Sequence, residues 1–535
     1  MNPAQTFQTI LLLLMIAVVL DAAARRLRLP SASVLVSSGI LLALVPGLPD
    51  VEFDPDFVMV LFLPPLLLSG AYFTVWPDFR ANLRIILQLA IGAVVVTTLL
   101  VGVVTHYFFP ALPWAACFAL GAIISPPDAV AAHAVLDHLR VPPRIATLLE
   151  GESLINDASG LVLFRFAVAA ALTGTFSAGA AAQSFFFVSV AGVGIGLAFG
   201  WICAFVAARL TDPRLTVVWT FLSAWAAYLL ADSVHVSGVL STVACGLVLG
   251  RLQHKALSAA ARVQAQAVWS VVTFVIEALV FVLVGLALRG VLLRFGADWT
   301  PALALMPAAA AIFLTIVLAR FAWIFPTAYI PRALVRSLRE RDPYPPVAVP
   351  LVMSWAGMRG VVSLAAALSL PEDFPGRDII LFVTFCVVAA TIIVLGLTLG
   401  PLAKMLVGKE FLLRQEETLS EESARATIAR AQFDAINVHS ANAEQEHAHP
   451  RLVEQYGYRL TVAEHHALIK EPHENRRLQH YRAILIAVEA GRKKLLELFN
   501  AGQIHDSVMY KLEEELDQEE LTAARVVKEA ESNYL

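Results

Sequence analysis

The sequence predicts an all-α polytopic membrane protein with a helical tail, and three observations carry that prediction. Of 535 residues, 58% are hydrophobic and only 15% charged, with a mean hydropathy of +0.71 that a soluble chain of this size does not reach. Thirteen apolar runs each approach the roughly 20 residues that cross the hydrocarbon as a helix. Charge is also unevenly placed: residues 1–404 hold 23 Lys/Arg and 20 Asp/Glu, while the remaining 131 hold 16 and 23. The break near Lys404 separates a membrane domain, 1–404, from a cytoplasmic helical tail, 405–535. A net charge of −4 argues against nucleic acid as a partner and leaves the lipid bilayer as the surrounding medium. Cys117, Cys203, Cys245 and Cys386 fall inside apolar runs and read as small buried hydrophobes. The opening MNPAQ lacks a basic n-region, and no small-residue cleavage pattern closes the run after it, so a first span is expected rather than a removed signal peptide.

The runs lie near 7–24, 30–47, 57–76, 84–109, 113–137, 145–172, 184–210, 215–232, 235–251, 264–288, 301–330, 347–371 and 378–404. Loop charge orients them. Loops after odd-numbered runs carry 16 basic residues, from Arg25, Arg26 and Arg28 to Arg332, Arg336, Arg339 and Arg341; loops after even-numbered runs carry 3, Arg289, Arg294 and Arg377. The split places the N-terminus outside and the tail in the cytoplasm. In the tail, ATIARAQFDAI and RRLQHYRAILIAVEAGRKKLLELF are amphipathic helices rich in Ala, Leu and charge.

Two runs are broken near their midpoints, which membrane helices tolerate only where the backbone is buried in protein or lines a cavity. The fifth reads GAIISPPDAVAAHAV, where Pro126 and Pro127 supply no N–H and free the carbonyls of Ala122 and Ile123. The twelfth reads SWAGMRGVVSL, with Gly357 and Gly360 bracketing Arg359. If runs 1–6 and 8–13 are two inverted repeats, these broken runs correspond, the arrangement that marks a transporter site. Two ordinary kinks are the bland alternative.

The sixth run contains GESLINDASG, where Glu152, Ser153, Asn156, Asp157 and Gly160 share one helix face and Leu154, Ile155, Ala158 and Val162 take the other. A charge at mid-membrane costs roughly 2.5–3.5 kcal/mol, so the default reading is functional, with a partner. Arg320 and Arg359 are the candidate cationic partners. Asp128, Glu152 and Asp157 set against Arg320 and Arg359, with Arg165 and Glu277 cancelling, leave one carboxylate uncompensated. Arg165 and Glu277 read as a structural pair, with a direct transport role as the alternative. One proton or one monovalent cation would neutralise it. His133 is a candidate pH sensor beside a blander hydrogen-bonded reading.

GESLIND, ISPPDAVA, FLPPLL at 62–67, VLAR ending at Arg320 and WAGMRGVVSLAAALSLP at 355–371 together resemble the monovalent cation:proton antiporters of the bacterial NhaP and sodium/proton exchanger kind, over essentially all of 1–404. The resemblance implies about thirteen transmembrane helices in two inverted repeats with crossed broken helices, a homodimer, and a bacterial inner-membrane location. It implies that Asp157 binds the ion and the proton, with Ser153 and Asp128 as further cation ligands. Asn156 would organise the broken helices with Asp128, Glu152 would pair with Arg320, and Arg359 would offset the negative half-helix ends. Asn156, where electrogenic relatives carry a second Asp, implies one-for-one electroneutral exchange of Na⁺ or Li⁺ for H⁺. No cofactor is implied beyond these transported ions.

Two departures stand out. Many relatives have Thr-Asp-Pro where this chain has Pro127-Asp128-Ala129, and many carry Glu where it has Ser69. Both bear on selectivity. Against other classes, there is no filter-like repeat for a channel, no HExxH or GxGD for an intramembrane hydrolase, and no GxxxxGK[ST] for a primary pump. A K⁺/H⁺ antiporter of the same fold and a transport-inactive cation or pH sensor remain as alternatives.

Overall fold

The computed structural model describes residues 3–45, 55–136, 142–174, 178–294, 300–406, 421–442, 449–468, 474–500 and 506–532. It divides into two compact units, 1–411 and 412–535. In the first, α1 (Pro3–Leu27), α2 (Ser31–Ala43), α3 (Pro55–Phe73) and α4 (Trp76–Phe108) come before a split run, α5 (Trp114–Ile124) and α6 (Ala129–Leu136). Then follow α7 (Pro143–Thr173), α8 (Ala178–Ala207), α9 (Pro213–Ser233), α10 (Gly238–Ala256), α11 (Ala259–Leu293) and α12 (Met306–Leu334). A second split run gives α13 (Ala348–Trp355) and α14 (Val361–Leu368), and α15 (Arg377–Leu406) follows. The architecture is all-helical, with no strand among the described residues. Among the described residues, seven helices are long and apolar enough to cross a membrane, and shorter apolar helices accompany them. Each apolar run read from the sequence coincides with one helix or one pair of half-helices.

Local chemistry sets the boundaries. α7 starts with Pro143 at its first position, where a missing N–H costs nothing, and stops on Gly174, whose φ of +71° is left-handed. The two split runs break where the sequence lacks donors or side chains, at Pro126-Pro127 and at Gly357 to Gly360. α4 and α15 each contain a π-helical turn, Gln88–Ala93 and Thr391–Leu395, which loosens the regular backbone ladder. A side chain from another helix takes up a carbonyl at each: Trp323 Nε1 donates to Gln88 O at 3.0 Å, and Ser33 Oγ to Ile392 O at 2.7 Å.

Small residues allow the tightest approaches, as expected where lipid supplies no hydrophobic drive between helices. Gly192, Gly196 and Gly200 of α8 meet Ser237, Ser241 and Cys245, so both partners step by four residues. α2 crosses α11 at Gly39 and Gly285, where a Cβ on Gly285 would lie 2.6 Å from Gly39 Cα.

At one end of the bundle, Asp342 ties three elements together. It accepts from Arg144 Nη1 at 2.9 Å and pairs with Arg332, while Arg144 Nε donates to Asn82 Oδ1 at 2.9 Å. Burial pushes the Asp342 carboxyl up, but the two guanidiniums outweigh it and hold it below the usual carboxylate range.

The second unit holds α16 (Glu421–Asn442), α17 (Pro450–Leu468), α18 (Glu474–Asn500) and α19 (Asp506–Ser532). α16 packs on α17 and α18 on α19. Arg430 pairs with Glu464, and Arg492 bridges Asp517 and Glu520 at 2.5 Å each.

Two expected outcomes follow from this packing. Gly285→Val overpacks the α2–α11 crossing and lowers stability by about 1–3 kcal/mol, read as a lower unfolding temperature in detergent. Asp342 has a depressed carboxyl, so its stabilisation is complete above the ordinary carboxylate range near ~3.9 and is lost as pH falls through its folded value. Asp342→Asn should therefore be less stable at pH 7 and lose less than the parent on acidification below about pH 4, in thermal scans across pH.

Candidate functional site

The two split runs leave four helix ends inside the bundle, and each end finds a partner. At the C-terminal end of α5, Arg359 Nε donates to Ile124 O at 2.8 Å and Nη2 to Ser125 O at 3.2 Å. Arg359 Nη1 also donates to Gly357 O, past the end of α13, and Arg320 Nη2 reaches Met353 O in its last turn at 2.9 Å. These carbonyls carry the negative ends of helix dipoles, which cations stabilise. Arg359 is fully buried, and its own N–H donates to Thr391 Oγ1 at 3.1 Å, in the π-helical turn of α15.

The opposite ends meet at Asp128. Its N–H donates to Met358 O at 2.7 Å, joining the two extended breaks. Its Oδ1 accepts from Val130 N at 2.9 Å, capping α6. The carboxylate also packs against Gly360, the residue that starts α14; a Cβ there would collide with the carboxylate of Asp128. Asp128 thus lies at two helix N-termini.

α7 passes the crossing and distributes its polar residues in three directions. Glu152 pairs bidentately with Arg320, Oε1 to Nη1 at 2.6 Å and Oε2 to Nη2 at 3.1 Å, with both side chains 2% exposed or less. Asn156 Nδ2 donates to Pro127 O at 2.6 Å, binding α7 to the break. Its Oδ1 is buried without a partner. Ser153 and Asp157 line a cavity of about 630 Å³. The single polar face expected of this helix therefore serves an ion pair, a backbone tie and a cavity wall.

The cavity is lined by Asp21, Asp128, Glu150, Asp157 and Glu277, with Arg25 as the only basic residue among the described residues of its lining. Its walls come from α1, α2, α3, α7, α11 and the crossing, with Ser69 on α3. Asp21, Glu150 and the α11 residues Gln266, Ser270 and Thr273 were not singled out from sequence. Their signal was the spacing 266, 270, 273, 277, which puts four polar residues on one face of an apolar helix. Arg165 is a correction. It lies on the exposed side of α7 and makes no ion pair with Glu277, which lines the cavity. Beyond a charge count, position along the helix decides this: Arg165 follows Asp157 by eight residues, about 12 Å of helix rise, and is exposed away from the cavity lining. The side chain of His133 lies outside the described residues.

The family model described as sodium/hydrogen exchanger, transmembrane, matches residues 10–405. The chain belongs to that exchanger family. It is 32% identical to an uncharacterised Na⁺/H⁺ exchanger, YjcE, of Escherichia coli over 76% of this chain and 77% of the relative. It is 32% identical to the Na⁺/H⁺ antiporter NhaH of Halobacillus dabanensis, over 75% and 98%. A Bacillus pumilus protein named sodium, potassium, lithium and rubidium/H⁺ antiporter is 28% identical over 92% and 74%. The fold matches the sodium proton antiporter MjNhaP1 of Methanocaldococcus jannaschii with a TM-score of 0.58, at 18% identity over 76% of this chain and all of that one. Within the exchanger fold, the crossing and the acidic cavity form one continuous site.

The buried pair sets a testable stability limit. Glu152→Gln leaves Arg320 as an uncompensated buried cation and should cost on the order of 3–5 kcal/mol, read as a lowered unfolding temperature of the detergent-solubilised protein. Replacing both partners by Gln and Met should recover part of that loss.

Proposed function

We propose that the chain is a secondary antiporter that exchanges cytoplasmic Na⁺ or Li⁺ for external H⁺ by alternating access, one for one. One observation carries the reading: of the charged groups at the crossing, Asp157 alone faces the acidic cavity without a compensating guanidinium or helix end. Arg320 is taken by Glu152, Arg359 by backbone carbonyls, and the charge of Asp128 faces two helix N-termini. A carboxylate removed from water needs a proton or a cation, and either one suffices. H⁺ and a small cation then compete for Asp157, with Ser153 and Asp128 as further cation ligands and Asn156 holding the break in place.

Charge on the cavity supports a cation as the transported ion, since five carboxylates against one guanidinium raise the local cation concentration. The cavity lining includes Arg25, in the last turn of α1 beside the arginine-rich segment read as cytoplasmic, which supports reading this conformation as inward-facing. We further read all thirteen segments as crossings, two inverted repeats, an inner-membrane location and a homodimer. The name of the Bacillus pumilus relative favours a second reading in which K⁺ and Rb⁺ are also carried.

The test uses purified protein in liposomes holding a pH gradient, with Na⁺, Li⁺, K⁺ and Rb⁺ added in turn. Lumenal pH should respond to Na⁺ or Li⁺ at equal rates with the membrane potential clamped or free. Asp157→Asn should abolish the response while retaining a monodisperse elution profile; retained exchange would remove Asp157 from the role. Exchange that depends on the clamp would overturn the one-for-one stoichiometry.

A further inference from the structure

α11 is the helix whose chemistry the exchange reading does not use. Between Arg262 and Arg289 its only charged residue is Glu277. Gln266, Ser270, Thr273 and Glu277 recur at steps of four, three and four, which places them on one face, and all four line the cavity. Glu150, Ser153 and Asp157 recur at steps of three and four on α7 and line the same cavity. Both helices begin on the arginine-rich side, near Arg144 and Arg262. At a rise of 1.5 Å per residue, Asp157 lies about 21 Å along α7 and Glu277 about 27 Å along α11. The two carboxylates are therefore at comparable depth, on different helices of one cavity wall. Glu277 is not a rim residue.

A second observation is an unpartnered acceptor oxygen on a residue of the same lining. Asp21 of α1 is 6% exposed; its Oδ2 accepts from Arg25 Nε at 2.7 Å, while Oδ1 is buried and has no hydrogen-bond partner. That oxygen belongs to a residue on the same lining as Gln266, Ser270 and Glu277. Acceptor oxygens from α1, α7 and α11 thus line one cavity.

We infer that Glu277 is a further cation-binding carboxylate, which together with the α11 stripe receives the entering monovalent cation in the cavity it shares with Asp157. The inference rests on the antiport reading for its transport consequences but not for its binding consequence. A cation in this cavity is attracted by both carboxylates, so removing one charge weakens binding even with Asp157 intact. Thr273 and Ser270, as neutral oxygens, provide successive positions through which a partly hydrated ion exchanges its water.

The experiment measures ²²Na⁺ binding to purified full-length protein, alongside exchange in liposomes. Glu277→Gln should weaken Na⁺ binding and raise the KM for Na⁺ on the order of tenfold, with the maximal rate falling by less than KM rises. Glu277→Asp should recover most of the affinity. A structural role predicts a different pattern: a lower unfolding temperature, equal losses in the number of binding sites and maximal rate, and unchanged affinity. That pattern, or unchanged binding in a well-folded Glu277→Gln, overturns the inference. Wild-type binding without exchange would sink the antiport reading and leave Glu277 to be judged on binding alone. No Na⁺ binding by the wild type would overturn both.

Discussion

Everything in the site depends on how the membrane domain disposes of four helix ends buried away from water. Breaking two helices inside the bundle exposes backbone groups that lipid cannot satisfy. Arg359 resolves the negative ends, binding Ile124, Ser125 and Gly357 carbonyls with one guanidinium. Asp128 resolves the positive ends by capping α6 and lying against the start of α14. The hydrogen bond from Asp128 N–H to Met358 O then locks the two breaks to one another. Lys could not replace Arg359 here, because a point charge with three donors on one nitrogen cannot span carbonyls from two chain segments as a planar fork does.

This arrangement explains why the polar residues of α7 have separate tasks. The neutral amide of Asn156 donates to Pro127 O, a bond that an ionised Asp could not make, since a carboxylate only accepts. Glu152 and Arg320 cancel, and Arg320 Nη2 also donates to Met353 O. Asp157 is then free to change its state of neutralisation without disturbing the frame, because no frame contact among the described residues runs through its carboxylate. In the exchange proposed above, separating the structural charges from Asp157 would let proton and cation alternate there while the crossing stays intact.

Much of this was legible in the chain. The apolar runs located the helices because about 20 apolar residues have few alternatives in a bilayer-sized hydrophobic domain. Pro126-Pro127 and Gly357 to Gly360 marked the breaks because each removes a donor or a side chain from a helix. The pairing of Glu152 with Arg320 was readable because a buried charge requires a partner and few cations were present. Less legible was the direction of each side chain. Arg165 and Glu277 cancel in a one-dimensional count, yet one faces outward and the other faces the cavity. Thr391 was hidden for a related reason: its value comes from a π-helical turn that brings its hydroxyl to Arg359 N–H, and no local sequence rule signals that turn.

The corrected placement changes how the charge of the site must be counted. A sum over intramembrane residues treats every carboxylate as equivalent and assigns neutralisation to arginines alone. In the fold, Arg359 is bound by carbonyl dipoles, and the compensation of Asp128 comes from helix N-termini, so backbone charge enters on both sides of the balance. The crossing is still left with one carboxylate, Asp157, that no guanidinium or helix end among the described residues compensates, but for a different reason from the one that a residue count supplies. Glu277 then stands outside the crossing, on the lining of the same cavity. In the exchange proposed above, an ion held by the crossing and by the α11 face of the cavity is subject to both, and any relative movement of the two changes its coordination. That coupling of ion binding to wall separation is the physical requirement for alternating access.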